Sequence, residues 1–179
     1  MSELFSIQLQ NRQQQGRDGV WLDLPTTTEQ VQAALRQIGI SSDNPQGLFI
    51  SGYFAEEEKR FAIPYNMVLA SNVDELNFLA SRLETLSTGE RAELNAALQA
   101  PQSELSSIGR ITDFPENVDY YVHLPDVHGP AQLGDYYLNR SGMVDMPEEW
   151  KGGIDTAQFG RYVAQQEQGT FTQYGYLVK

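Results

Sequence analysis

Asn72-Val73-Asp74-Glu75-Leu76-Asn77-Phe78-Leu79-Ala80-Ser81-Arg82-Leu83-Glu84-Thr85-Leu86-Ser87-Thr88-Gly89-Glu90 is where the chain changes its hydrophobic period. Leu76, Leu79, Ala80, Leu83 and Leu86 recur at helical spacing, which predicts a helix with one buried face. Ser71 and Asn72 offer a cap, and Asp74 and Glu75 fall in the first turn, where the helix dipole favours acids. Ser87-Thr88-Gly89-Glu90 restarts a second helix, with Ala92, Leu94, Ala97 and Leu98 ahead of Pro101. A third, short helical piece is expected over 101–108. The region 69–110 therefore reads as a helical unit.

Upstream the period is two. Leu4, Phe5, Ile7 and Leu9 alternate with polar residues, and Val20, Leu22 and Leu24 alternate with Trp21 and Asp23 before Pro25. The polar stretch Asn11 to Gly19 between them, with the glutamine cluster Gln13 to Gln15, reads as a loop. Thr26-Thr27-Thr28-Glu29 opens a helix carrying Val31, Ala34, Leu35 and Ile38, which Gly39 closes. Leu48 to Phe54 follows as a third strand. Strand, strand, helix, strand predicts an α+β unit over 1–68 with a small antiparallel sheet.

Downstream of Ile111 the texture changes again. Tyr120 to Leu124 is strand-like, Ile154 to Gln166 is helical around Phe159, Tyr162 and Val163, and Gly169 to Val178 alternates as a terminal strand. Trp21 and Trp150 read as packing residues. The predicted fold is α+β in an elongated chain of three domains: 1–68, the helical 69–110, and a second α+β unit over 111–179.

The chain has 179 residues and 24 acids against 12 Lys and Arg, a formal net charge of -12. A duplex binder needs cations to displace counterions from phosphates, so direct nucleic-acid binding is excluded as the first reading. Aromatic content of 11% argues against disorder. There is no cysteine, hence no disulfide, thiolate chemistry or Cys-type zinc site. No signal peptide and no membrane-spanning run is visible, which predicts a cytoplasmic protein without a membrane partner. The acids are spread evenly, with 8 acids and 5 bases in 1–68, 6 and 2 in 70–105, and 10 and 5 in 106–179. Diffuse acidity on a folded body suits a surface that meets a basic partner, and equally a chain kept soluble by charge.

Chemistry finds little support. His123 and His128 flank Pro125 and Asp126, and the proline argues against the helix that a chelating His pair would need. Glu56-Glu57-Glu58, beside Lys59-Arg60, reads as a solvated loop. No nucleophile elbow, phosphate loop or His-Glu-x-x-His helix is present. The sequence predicts no catalytic residue, no metal and no cofactor.

Three segments in register resemble the ArdA antirestriction family. The opening Leu4-Phe5-Ser6-Ile7-Gln8-Leu9, followed by Asn11, Gly16, Gly19, Trp21, Leu24 and Pro25, is similar to the family's strand, Asn/Gly loop and Gly-x-Trp-x-x-Leu-Pro strand end. Val73-Asp74-Glu75-Leu76-Asn77-Phe78-Leu79-Ala80, running to Leu83-Glu84-Thr85-Leu86, resembles its Glu-Leu-Asn helix start. Tyr136-Tyr137, Gly142, Pro147, Ile154-Asp155, Phe159-Gly160-Arg161 and Gly169-Thr170-Phe171 to Gly175-Tyr176 follow the family's order and approximate spacing.

The resemblance implies an acidic homodimer, joined through its C-terminal domain, that imitates bent B-form DNA and occupies the DNA-binding groove of type I restriction-modification enzymes, protecting mobile DNA. It picks out Asp74, Glu75, Glu84, Glu90 and Glu93 in the helical middle as partner-binding acids. Asp113, Glu116, Asp119, Asp126 and Asp135 join them, with Asp145, Glu148, Glu149 and Asp155 further on. Tyr136, Tyr137, Phe159 and Tyr162 suit either the dimer interface or a domain core. Where the family tends to carry Ile-x-Asp-Tyr-Glu, this chain has Ile50-Ser51-Gly52-Tyr53-Phe54, without either acid. In place of Ile-Asp-Tyr followed by Tyr-Gly-Arg-Asp, it has Ile154-Asp155-Thr156 and Phe159-Gly160-Arg161-Tyr162, one acid fewer. Duplex DNA carries one charge per ~1.7 Å, so three domains spanning roughly 70 Å would imitate ~40 charges. A partial mimic is therefore expected. The alternative is an acidic adaptor that keeps the fold without antirestriction activity.

Overall fold

The computed structural model describes residues 3–14 and 16–179. Met1 and Ser2 of the opening segment, and Gln15 of the glutamine cluster, lie outside the described residues. The chain is α+β, with eight α-helices and two three-stranded antiparallel sheets among the described residues. It divides into two units, Met1–Leu86 with Leu105–Pro115, and Ser87–Glu104 with Glu116–Lys179.

In the first unit β1 (Phe5–Asn11) lies between β2 (Val20–Leu24) and β3 (Leu48–Phe54). Strict alternation turns Phe5, Ile7 and Leu9 inward, where they are buried with Leu22, Leu24 and Ile50. Helix α1 (Thr28–Gln37) begins where the Thr27 side chain accepts the Gln30 N–H and ends before Gly39, whose φ of +73° suits a residue without Cβ. Asn11 is a buried polar residue with its bonds made: Nδ2 donates to the Ile38 carbonyl at 3.0 Å, and Oδ1 accepts the Gln13 N–H at 3.0 Å.

Helix α2 (Tyr65–Leu69) packs against β3, and α3 (Val73–Glu84) touches β2 and packs against α5 (Ile108–Thr112). The stripe Leu76, Leu79, Ala80 and Leu83 is fully buried, as its spacing predicts. Asn77, just off that stripe, pins α3 to the chain after β2, accepting the Thr26 N–H at 2.7 Å and donating to its carbonyl at 3.0 Å.

In the second unit α4 (Thr88–Gln99) starts with a reciprocal capping box, Ser87 N–H to the Glu90 carboxylate at 2.7 Å and Glu90 N–H to the Ser87 hydroxyl at 3.3 Å. The sheet has the order β4 (Val122–Leu124), β6 (Gly175–Val178), β5 (Thr170–Thr172). Val127, Leu133, Ala164 and Tyr176 form its core. Helix α6 (Pro130–Asp135) widens into a π turn over Tyr136–Arg140, closed by the Ser141 N–H on the Tyr136 carbonyl at 2.9 Å. The short α7 (Glu148–Lys151) precedes α8 (Thr156–Glu167).

Four sequence expectations shift. The terminal segment is a hairpin rather than one strand, because the chain reverses in a two-residue turn over 173–174, and Gly175 at φ +117° opens β6. The third helical piece forms at Ile108–Thr112, where Ser107 supplies the cap, and not over 101–108. The strand expected from Tyr120 begins at Val122, after a 3₁₀ turn over Val118–Tyr120. Trp21 and Trp150 are 50% and 67% exposed, so neither is a core residue. Trp21 occupies the outer side of its strand and lies over Gly52, where no side chain intervenes.

Helices α6 and α8 meet backbone to backbone. A Cβ on Gly134 would stand 1.9 Å from the Thr156 carbonyl oxygen, and one on Gly160 only 1.7 Å from that of Pro130. Gly160→Ala is therefore expected to force the helices apart and cost ~3 kcal/mol. Gly152→Ala, with nothing within 4 Å of the added carbon, should change stability by less than about 0.5 kcal/mol. Thermal or urea melts of the two variants check this.

Candidate functional site

The acids of the second unit divide by what their neighbours do to them. Glu90 closes the capping box, and hydrogen bonds from Ser87 hold its carboxyl below the usual carboxylate range. One turn on, Glu93 sits under the opposite influence. Its Oε1 is buried without a hydrogen-bond partner. Burial, and then the charges of Glu90 and Asp119, push its pKa up to about 7. Tyr121, next to this group, is raised by burial, with Lys179, Glu104 and Glu93 acting on it electrostatically. Lys179 is ion-paired with Glu104.

Asp135 is held by Arg140 at 3.4 Å and by the Asn139 amide at 2.8 Å, a pairing that the π turn brings into reach. With Asp126 and Gln132 it lines an open groove of about 440 Å³. Glu148 is paired with Lys151 at 2.8 Å. Asp155 caps α8, accepting the Gln158 N–H at 3.0 Å. Glu116 is exposed in a 3₁₀ turn. Asp119, Asp126, Asp145 and Glu149 are exposed and make no ion pair among the described residues.

The first unit holds the remaining candidates. Asp74 is exposed in the first turn of α3, and beside it Glu75 accepts the Ser71 hydroxyl at 2.7 Å. Glu84 closes α3, half-buried, and Asp113 is the exposed residue that ends α5. Thus Glu90 and Asp155 accept backbone N–H groups at helix starts and Glu75 accepts the Ser71 hydroxyl beside one, whereas Asp135 and Glu148 are matched by cations.

Of the four aromatic candidates, Tyr136 and Tyr137 pack against their own unit's core, Phe159 is half-buried and Tyr162 is 60% exposed. The Tyr137 hydroxyl donates to Glu167, and the Tyr176 hydroxyl donates to the other oxygen of the same carboxylate at 2.8 Å. Burial first, and then Glu167, raises both tyrosines well above the ordinary phenol value. Glu167 was not singled out in the sequence, because nothing in its surroundings there marks it as the junction of α8 and β6.

The histidines serve the hairpin. The His123 ring Nε2 bonds the Tyr174 carbonyl at 2.7 Å, and His128 Nδ1 lies 3.4 Å from that of Thr172. Among the described residues no group of three or more His, Cys, Asp or Glu is arranged to hold a metal, and no helix is long and apolar enough to cross a membrane. What the acids can do is present charge to a cationic surface, at a strength that varies with pH at Glu93.

That variation has a definite sign. A carboxyl raised from its unfolded value takes up a proton on folding, so its cost is absent in acid, grows through the interval between about 4.5 and about 7, and is full above it. Glu93→Gln is expected to leave stability unchanged at pH 4. At pH 8 it should stabilise by about 1 kcal/mol, after discounting for partial exposure. Melting curves at the two pH values check this.

A family model described as antirestriction protein (ArdA) matches residues 15–178. No curated protein matches the chain. The match spans both units and includes every acidic candidate described above. The chain belongs to the ArdA antirestriction protein family.

Proposed function

We infer that this protein counters restriction as a partial DNA mimic, its exposed carboxylates taking the place of phosphates in the Lys- and Arg-lined DNA groove of a type I restriction-modification enzyme. The observation that carries this reading is the family match over residues 15–178 of a chain with a net charge of -12. The mechanism needs no chemistry. Asp74, Asp119, Asp126, Asp145 and Glu149 attract guanidinium and ammonium groups through the long-range field, then lose water against them in contact. Mimicry is partial because Asp135 and Glu148 are already matched by Arg140 and Lys151, and Glu93 is half-protonated near neutral pH. The reading includes the division into 1–68, 69–110 and 111–179, a cytoplasmic setting, and a homodimer joined through the last segment. Exposed Tyr162, Met143 and Trp150 supply apolar surface for that dimer.

A second reading is favoured by other exposed apolar side chains. Trp21, Phe54 and Phe78 of the first unit are apolar surface for which a duplex mimic has no use. They suit an adaptor whose partner is an ordinary protein surface.

Competition decides between the two. The purified protein is expected to displace a fluorescent duplex from a type I methyltransferase core at low salt, less so as salt rises. Neutralising Asp74, Asp119, Asp126, Asp145 and Glu149 together to Asn or Gln should weaken displacement by about tenfold or more, at a few tenths of a kcal/mol each. Failure to displace DNA at any salt overturns mimicry. Pull-downs that then recover proteins other than nucleic-acid enzymes favour the adaptor.

A further inference from the structure

In the first unit, the end of β3, the following loop and the start of α2 enclose an open cleft of about 370 Å³, whose walls include Tyr53, Phe54, Arg60, Phe61 and Tyr65. Three features set it apart. Its walls are aromatic, and two of them face solvent, Phe54 at 56% and Tyr65 at 50% exposure. It holds one cation and no carboxylate, in a chain where acids outnumber bases two to one. The nearby Glu56 is taken by Lys59 at 3.1 Å, whereas Arg60 makes no ion pair among the described residues.

The third feature is an unmet donor. The Tyr53 hydroxyl is buried and has no hydrogen-bond partner. Leaving such a group unpaired costs about 1–3 kcal/mol, so it calls for an acceptor. Tyr53 is held edge-on to Phe5 at 5.4 Å and lies 6.4 Å from the Tyr65 ring. Burial raises its pKa to about 12 against the opposing pull of the Arg60 guanidinium, so the proton stays on at neutral pH and is available to donate. Arg60 is steadied by one bond, Nη2 to the Ala55 carbonyl at 3.3 Å, which leaves its other N–H groups for a ligand.

We propose that this cleft binds an aromatic monocarboxylate, its ring against Phe54 and Tyr65 and its carboxylate received by Arg60 and the Tyr53 hydroxyl. One guanidinium matches one negative charge, and its planar fork fits a carboxylate. Aromatic walls favour a ring over an aliphatic chain of equal area. The volume lies at the small end of ligand sites, which limits the ligand to about one ring and its acid group. This site is independent of the mimic surface, since it is cationic and carries none of the acids proposed there.

Phenylacetate is the probe, titrated into the full chain and followed by the NMR shifts of the Tyr53, Phe54 and Tyr65 rings. Acetate, which lacks the ring, and 2-phenylethanol, which lacks the charge, are the controls. Saturable shifts at these three rings are expected with phenylacetate, and affinity for either control lower by about tenfold. Arg60→Gln should weaken phenylacetate by about tenfold or more, Arg60→Lys by less, and Tyr53→Phe several-fold. Melting curves establish that each variant is folded, and if Arg60→Gln is not, Arg60→Lys and Tyr53→Phe decide. The proposal is overturned by the absence of saturable shifts, by equal binding of either control, or by unchanged affinity in the folded variants.

Discussion

A carboxylate taken out of water without a partner costs several kcal/mol, and this chain carries 24 of them against 12 cations. Each acid must therefore reach solvent, find donors, or surrender its charge, and the fold uses all three routes. Asp74, Asp126 and Glu149 remain in water. Glu75, Glu90 and Asp155 turn toward hydroxyl or backbone donors at the beginnings of helices, where the dipole also favours them. Glu93, buried and then opposed by the charges of Glu90 and Asp119, gives up part of its charge. The same pressure that shapes the surface leaves that surface negative.

The interiors meet this constraint by using few ionised groups. Glu167 is the informative exception, since its two oxygens are satisfied by the hydroxyls of Tyr137 and Tyr176, and both donors come from the residues that pack the core around it. Helices α6 and α8 need no charge pairing to hold together, because Gly134 and Gly160 let their backbones touch. With the core closed in this way, almost all the acidity of the second unit is free to face outward. Arg140 is brought onto Asp135 by the π turn, so that backbone feature also helps set how much negative charge the groove beside it displays.

Much of the fold was legible because it rests on local periodicity. The alternation of Phe5, Ile7 and Leu9 and the stripe of Leu76, Leu79, Ala80 and Leu83 each match one buried face, and the caps at Thr27, Asn72 and Ser87 mark where helices begin. The failures have a common physical origin. Phe171, Tyr174, Tyr176 and Val178 alternate like one strand, and the turn over 173–174 makes them a hairpin. Trp21 looks like core by its chemistry and is surface by its side of the strand. The acidic candidates were legible as residue types, and their caps and pairs join residues only three to five apart, as in Ser87 with Glu90 and Glu148 with Lys151. The state of Glu93 was not legible, since it depends on burial and on Asp119, distant in sequence.

Composition and pattern by themselves determined an acidic α+β chain and the order of its main elements, because charge and hydrophobic period are properties of short stretches. The family resemblance rests on particular motif residues such as Phe159-Gly160-Arg161. Tertiary structure alone decided which charges survive and where the exceptions to acidity lie. Asp119 acts electrostatically on Glu93 across a chain separation that no local rule spans, and a π turn lies between Asp135 and its partner Arg140. Tyr53 is left with a buried hydroxyl and no acceptor at the cleft where strand, loop and helix meet. Electrostatics and hydrogen bonding act through space, so residue identity supplies the groups while only the folded chain sets the distances.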